Sequence, residues 1–239
     1  YRGADIQFVI PEGTTLCLVN EFTTRDVRVE FGEEIGSISI YGGGSLDANP
    51  KDANTNGKRD EVGFSGVPTT ISGITLLPAA NSVVYGGSVT KDTNQTMKAV
   101  DLDSTNLTLS NVKYDGTTYA GSLAGNVGSS ALTMIDMNIT AKRSVFGGNA
   151  EAGHVGSTNV VFDGGNIDNI YGGGNKGTSC GSTNLNVIGG SVNTVYGGGS
   201  SSTTSHTFVH VGNDAEVTNH VFGGGYNGNS EITEVAVDG

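Results

Sequence analysis

Ile170-Tyr171-Gly172-Gly173-Gly174 is the stretch whose reading decides the fold. The same order (a β-branched residue, an aromatic ring, then glycines) stands at Ile40-Tyr41-Gly42-Gly43-Gly44, Val84-Tyr85-Gly86-Gly87, Val145-Phe146-Gly147-Gly148, Val195-Tyr196-Gly197-Gly198-Gly199 and Val221-Phe222-Gly223-Gly224-Gly225. Gly63-Phe64-Ser65-Gly66 and Tyr119-Ala120-Gly121 are weaker copies. Phe146, Tyr171, Tyr196 and Phe222 follow one another at intervals of 25, 25 and 26 residues. The repetition extends beyond the motif. Ser157-Thr158-Asn159-Val160-Val161-Phe162-Asp163-Gly164-Gly165-Asn166-Ile167 aligns with Ser182-Thr183-Asn184-Leu185-Asn186-Val187-Ile188-Gly189-Gly190-Ser191-Val192, which sets Asp163 against Ile188.

Each unit holds two short segments of alternating apolar residues, Leu185/Val187 and the run into the aromatic, bounded by Gly, Asn and Ser. That is the pattern of strands, and no segment shows a capped helical period. Glycine reaches positive φ without a Cβ clash, so the Gly-Gly pairs mark corners. A unit of about 25 residues cannot bury its own apolar face, whereas units stacked ~4.8 Å apart can. The expectation is an all-β, single-stranded parallel β-helix of six to eight rungs spanning 1–239 as one domain. Within it, 1–44 form N-terminal rungs, 45–130 are irregular, and 131–239 are regular repeats. Rungs of this size exclude the left-handed hexapeptide helix, which needs 18-residue rungs.

Composition narrows the function. The net charge is −12, with 12 Lys and Arg scattered along the chain. A nucleic-acid partner demands a basic footprint, so none is expected, and anionic membrane surfaces are disfavoured likewise. No apolar run reaches the roughly 20 residues of a membrane helix. Cys17 and Cys180 belong to distant rungs and are expected as small buried hydrophobes rather than a disulfide. The chain starts at Tyr1 and ends on an uncapped alternating strand, Glu231–Val237, so it reads as part of a longer chain.

With these repeats the sequence resembles right-handed parallel β-helix proteins, and more closely the Gly-rich repeat regions of bacterial surface proteins. The resemblance is strongest over 130–239. It implies an extracellular or cell-surface adhesin-like module that holds a glycan or a host surface ligand without catalysis. A weaker resemblance, to β-helix glycosidases of the lacto-N-biosidase type, implies a hydrolase or polysaccharide lyase working through paired aspartates. Its candidates are Asp101 with Asp103 on one strand face, and Asp136, Asp163 and Asp168 on neighbouring rungs. A passive stalk is the third reading.

One segment interrupts the repeat: Asp52-Ala53-Asn54-Thr55-Asn56-Gly57-Lys58-Arg59-Asp60-Glu61. Oxygen-bearing side chains at alternate positions, with Gly at the sixth, form a loop suited to a hard cation. It resembles the calcium loops of EF-hands, dockerins and thrombospondin type 3 repeats. By that resemblance Asp52, Asn54 and Asn56 offer side chains, Lys58 a carbonyl and Asp60 an acid. Glu61 substitutes for the usual closing glutamate, whose position falls on Gly63. Calcium is the expected cofactor; a polar loop held by Asx-turns is the alternative. The recurring aromatics must form a column, either an outward platform for sugar rings at Tyr171, Tyr196 and Phe222 or an inward core ladder. His206, His210 and His220 lie near one another but lack the spacing of known zinc motifs.

Overall fold

The computed structural model describes residues 4–17, 28–30, 35–43, 45–47, 61–77, 83–90, 97–137, 139 and 143–238. Among these there is no helix. Nine parallel strands form one long face: Ala4–Ile10, Ile35–Gly42, Thr69–Ser72, Leu102–Ser110, Val127–Ile135, the first halves of Gly153–Tyr171, Thr178–Tyr196 and Thr203–Phe222, and Ser230–Val237. A second face stacks Arg28–Glu30, Glu61–Gly63, Val83–Tyr85, Thr117–Tyr119, Ser144–Phe146 and the last residues of the three long strands. A small third sheet of Thr15–Cys17, Ser45–Asp47 and Thr75–Leu77 closes the early turns. The result is a parallel β-solenoid with roughly 25 residues per turn.

Alternation explains the stack. Along the long face the register runs Phe8, Ile40, Ile71, Leu109, Met134, Phe162, Val187, Val211. From Ile40 to Val211 this row is buried, and it meets Val145, Ile170 and Val195 from the second face in one continuous core. In later turns Ile167 and Val192 complete the core from the corner where earlier turns place Leu46 and Leu76. The corner at Gly164-Gly165 shows why glycine stands there. Both residues have positive φ, and a Cβ on Gly165 would lie 2.6 Å from the Met137 carbonyl oxygen of the turn before. The corner also carries a register shift, so Asp163 pairs with Gly189 and not with Ile188 as the sequence alignment had it.

The aromatic column is a buried core ladder, one of the two expected forms, but it lies on the far side of its strands in a core of its own. Ile170 points into the main core and Tyr171 to the opposite face of the same strand, yet both are buried. The segments that follow Tyr85, Tyr119 and Phe146 stack on one another and pack against the rings. Val89, Leu123 and Ala150 from these segments join Tyr85, Tyr119, Phe146, Tyr171 and Tyr196 in a second core. The rings lie nearly parallel, with centroids 5.2 Å apart for Tyr85–Tyr119 and 4.7 Å for the next three pairs. Phe222 ends the ladder 5.1 Å beyond Tyr196 and is 42% exposed. Each such pair contributes about 0.5–1.5 kcal/mol beyond the area it buries.

A buried hydroxyl ties the two faces together. Thr158 Oγ1 donates to the Gly172 carbonyl, Thr183 to Gly197 and Thr207 to Gly223, at 2.5–2.6 Å. Thr105 and Ser130 do the same to Ala120 and Gly147. These carbonyls follow the ladder rings. Capturing them satisfies oxygens that would otherwise be buried unpaired at a cost of about 1–3 kcal/mol.

The repeat copy at Ile40-Tyr41-Gly42 is a false one. Ile40 and Tyr41 belong to the long face, and Tyr41 is exposed, its hydroxyl 3.3 Å from Gln7 Oε1. In ladder register that part of the chain has Glu30 and Gly63 instead. Phe64 turns into the main core.

Candidate functional site

The outer side of the long face presents a regular set of side chains to solvent. Residues that alternate with the core row form rows along the solenoid axis; the row at the corner, Ser110, Ile135 and Asp163, carries an acid, and the three rows before it do not. One runs Ser104, Ser129, Ser157, Ser182; the next Asn106, Ala131, Asn159, Asn184; the third Thr108, Thr133, Val161, Asn186. All twelve side chains are solvent-facing and uncharged. The amides are oriented by one another: Asn184 Nδ2 donates to Asn159 Oδ1 at 3.1 Å, and Asn186 Nδ2 to Asn184 Oδ1 at 3.3 Å. At one end the middle row continues into Phe208, 36% exposed between His206 and His210. His206 Nε2 lies 2.8 Å from Glu234 Oε1, and His210 Nε2 lies 3.0 Å from Asp238 Oδ2.

At the other end the sheet is notched. Strand Thr69–Ser72 pairs only with the second half of Leu102–Ser110, so residues 102–106 have no strand partner on the side of the preceding turn. The turn at Ser65–Pro68 stands off there and leaves a cavity of about 380 Å³ lined by Ile35, Val67, Pro68, Asp101, Asp103 and Ser104, among others. Gly66 approaches the Ser104 carbonyl so closely that a Cβ would lie 2.6 Å from it. Asp101 accepts a hydrogen bond from the Asn126 amide at 2.7 Å, which fixes one of the two carboxylates.

The other expected acids sit elsewhere, at the corners. Asp136 is in the left-handed region and donates its amide to the Asp163 carbonyl. Asp168 receives the side-chain amides of Asn169 and Asn193. Of the five candidate aspartates, Asp101 and Asp103 line one cavity together. Asp52, Asn54, Asn56, Lys58 and Asp60 lie outside the described residues. Glu61, the last of the expected calcium ligands, is buried in its strand and accepts a hydrogen bond from the Tyr85 hydroxyl at 3.2 Å. Tyr171 and Tyr196 are 7% and 8% exposed inside the ladder, so among the ladder rings the open ring face is that of Phe222, against which His220 stacks at 5.4 Å. Among the described residues no three His, Cys, Asp or Glu side chains converge as a metal site, and no helix is long and apolar enough to cross a membrane.

Burial tunes two groups strongly and raises Tyr196 in the same sense. The Tyr171 phenol is pushed up to about 12, chiefly by desolvation and then by Tyr196 beside it. The Cys180 thiol, free and buried, is pushed up to about 11 by the same desolvation. Neither group is an activated nucleophile. The rows and the notch were the features sequence reasoning missed. Their signal was the repeated Ser-Thr-Asn at 157–159 and 182–184, in which the outer two residues face water and the Thr faces the core.

The fold and site define a parallel β-solenoid whose outer face carries three uncharged rows across four central turns, beside a notch with two aspartates. The chain matches no protein-family profile, no curated protein and no solved structure.

Proposed function

We propose that the chain is a non-catalytic carbohydrate-binding module of a secreted or cell-surface protein, suited to adhesion. The observation that carries this reading is the ordered, uncharged array of hydroxyls and amides on a chain of net charge −12. Ser, Thr and Asn side chains each both donate and accept hydrogen bonds, as sugar hydroxyls do. The notch adds apolar contact from Pro68 and Ile35 beside the acceptor oxygens of Asp101 and Asp103. Calcium, if held by the 52–61 loop, serves in this reading to rigidify that insertion rather than to touch the ligand.

A glycan-array screen with parallel hydrolysis assays, run with calcium and with chelator, tests the proposal. Binding without turnover is the expected result. A second reading, a glycoside hydrolase or lyase acting through Asp101 and Asp103, is favoured by their shared cavity. Turnover abolished by Asp101→Asn or Asp103→Asn in a folded protein establishes it and overturns the first.

A further inference from the structure

We propose that the ligand of the outer face is an extended, uncharged, β-linked polysaccharide that lies parallel to the solenoid axis, one sugar residue per turn, with one end in the Asp101/Asp103 notch. This rests on the carbohydrate-binding reading and specifies its ligand class and orientation.

Direction follows from what repeats. Along the axis the serine row repeats unbroken through Ser104, Ser129, Ser157 and Ser182, and the middle row carries asparagine in three of its four turns, at the ~4.8 Å spacing of stacked strands. Across the axis each two-residue step changes the group, from Ser157 to Asn159 to Val161. Only a polymer whose own repeat runs along the axis satisfies the array with one repeating set of contacts. An extended β-linked pyranose chain advances by roughly one such spacing per residue. The backbone ladder fixes the rows and the Asn184–Asn159 bond aligns the amides, so little side-chain freedom is left to lose on binding.

Charge selects the polymer. Among the array positions of four consecutive turns there is no ionisable side chain, while the molecule as a whole is strongly acidic. A polyanionic glycan finds no cation on the array and a repulsive field around it. Both ends of the array are marked. Phe208 offers a ring face in the middle row, on which a sugar can stack, and beyond it Glu234 and Asp238 restore charge. At the opposite end Ser104 belongs both to the serine row and to the wall of the notch, so a chain following that row runs into the cavity.

Titration calorimetry with β-1,4-linked glucose and N-acetylglucosamine oligomers, from disaccharide to hexasaccharide, tests the inference, with polygalacturonate as the charged comparison. Affinity is expected to rise at least about tenfold from disaccharide to tetrasaccharide, and polygalacturonate is expected not to bind. Asn159→Lys and, independently, Ser182→Lys place a charge on exposed positions in mid-array. Each should lower tetrasaccharide affinity by about tenfold with an unchanged melting temperature, while Glu216→Lys, off this face, leaves affinity as it was. A disaccharide that binds as tightly as a hexasaccharide, or lysine variants that bind normally, overturns the axial chain and leaves the carbohydrate-binding reading standing. Preference for polygalacturonate overturns the neutral ligand. Absence of binding to every glycan removes both.

Discussion

The turns before Leu109 and those after it are built on the same core row but to different rules. Successive core-row residues Phe8, Ile40, Ile71 and Leu109 are separated by 32, 31 and 38 residues. From Leu109 through Met134, Phe162, Val187 and Val211 to Val237 the steps are 24 to 28. The long early turns spend their extra residues on insertions, a separate third sheet and the turn that opens the notch. The short later turns carry no such additions and keep the ladder ring and its glycine loop at every step. The same inward row therefore supports two outcomes: where the outer layer is irregular it makes a cavity, and where it is regular it makes a second core and a flat array. The difference teaches that the inner alternation sets the solenoid while the glycine loops set its regularity.

Three perturbations break or sharpen that contrast, beginning with the largest. Phe146→Ala removes a ring stacked on both sides in the second core and should cost about 3–5 kcal/mol. Tyr41→Ala, the same motif position in the early turns, should cost under about 1 kcal/mol because that ring is exposed; urea denaturation of both variants measures the gap. Gly172→Ala drives a Cβ into the Gly197 carbonyl oxygen, where backbone cannot yield. A loss of about 3 kcal/mol is expected. Gly224→Ala, whose nearest contact is the Ser230 Oγ at 3.6 Å, should change the melting temperature little.

The smallest effect concerns alkali. The Tyr171 phenol ionises near 10 when unfolded and about 12 in the ladder, so folding favours the neutral form. Its contribution is whole below pH 10 and is lost as pH rises from 10 to 12. The loss amounts to something on the order of 2 kcal/mol. Cys180, raised in the same sense, adds to the decline. Tyr171→Phe should flatten the stability profile above pH 10, and a profile identical to that of the parent protein would dissociate the ladder from alkaline unfolding.

The regular half was largely legible because its physics is local. Alternation at Leu185/Val187, rings at fixed intervals and glycines at corners are all read within one unit. What escaped depends on neighbours in the stack. The sequence counts Ile40-Tyr41-Gly42 as a repeat, yet strand register assigns it to the other face. The alignment sets Asp163 against Ile188, and a bulge at the glycine corner moves it to Gly189. The choice between an inward and an outward ring column included the buried ladder but not its separate core, since the segments packed against the rings offer no apolar pattern to read. Thr158, Thr183 and Thr207 recur in the alignment, but their role needs the carbonyl of a residue 14 to 16 positions later to come within reach. The notch was least legible, because it arises from a strand that is shorter than its neighbours.

The stacked rings have a genetic consequence. Tyr171 and Tyr196 have equivalent neighbours, above and below, on the core row, at the Thr-to-carbonyl bond and in the glycine loop. An in-frame duplication of 172–196 would leave each old contact in place and supply the new turn with the same set. In this half of the molecule length is a quantity that recombination can change by whole turns, without any side chain having to be reinvented.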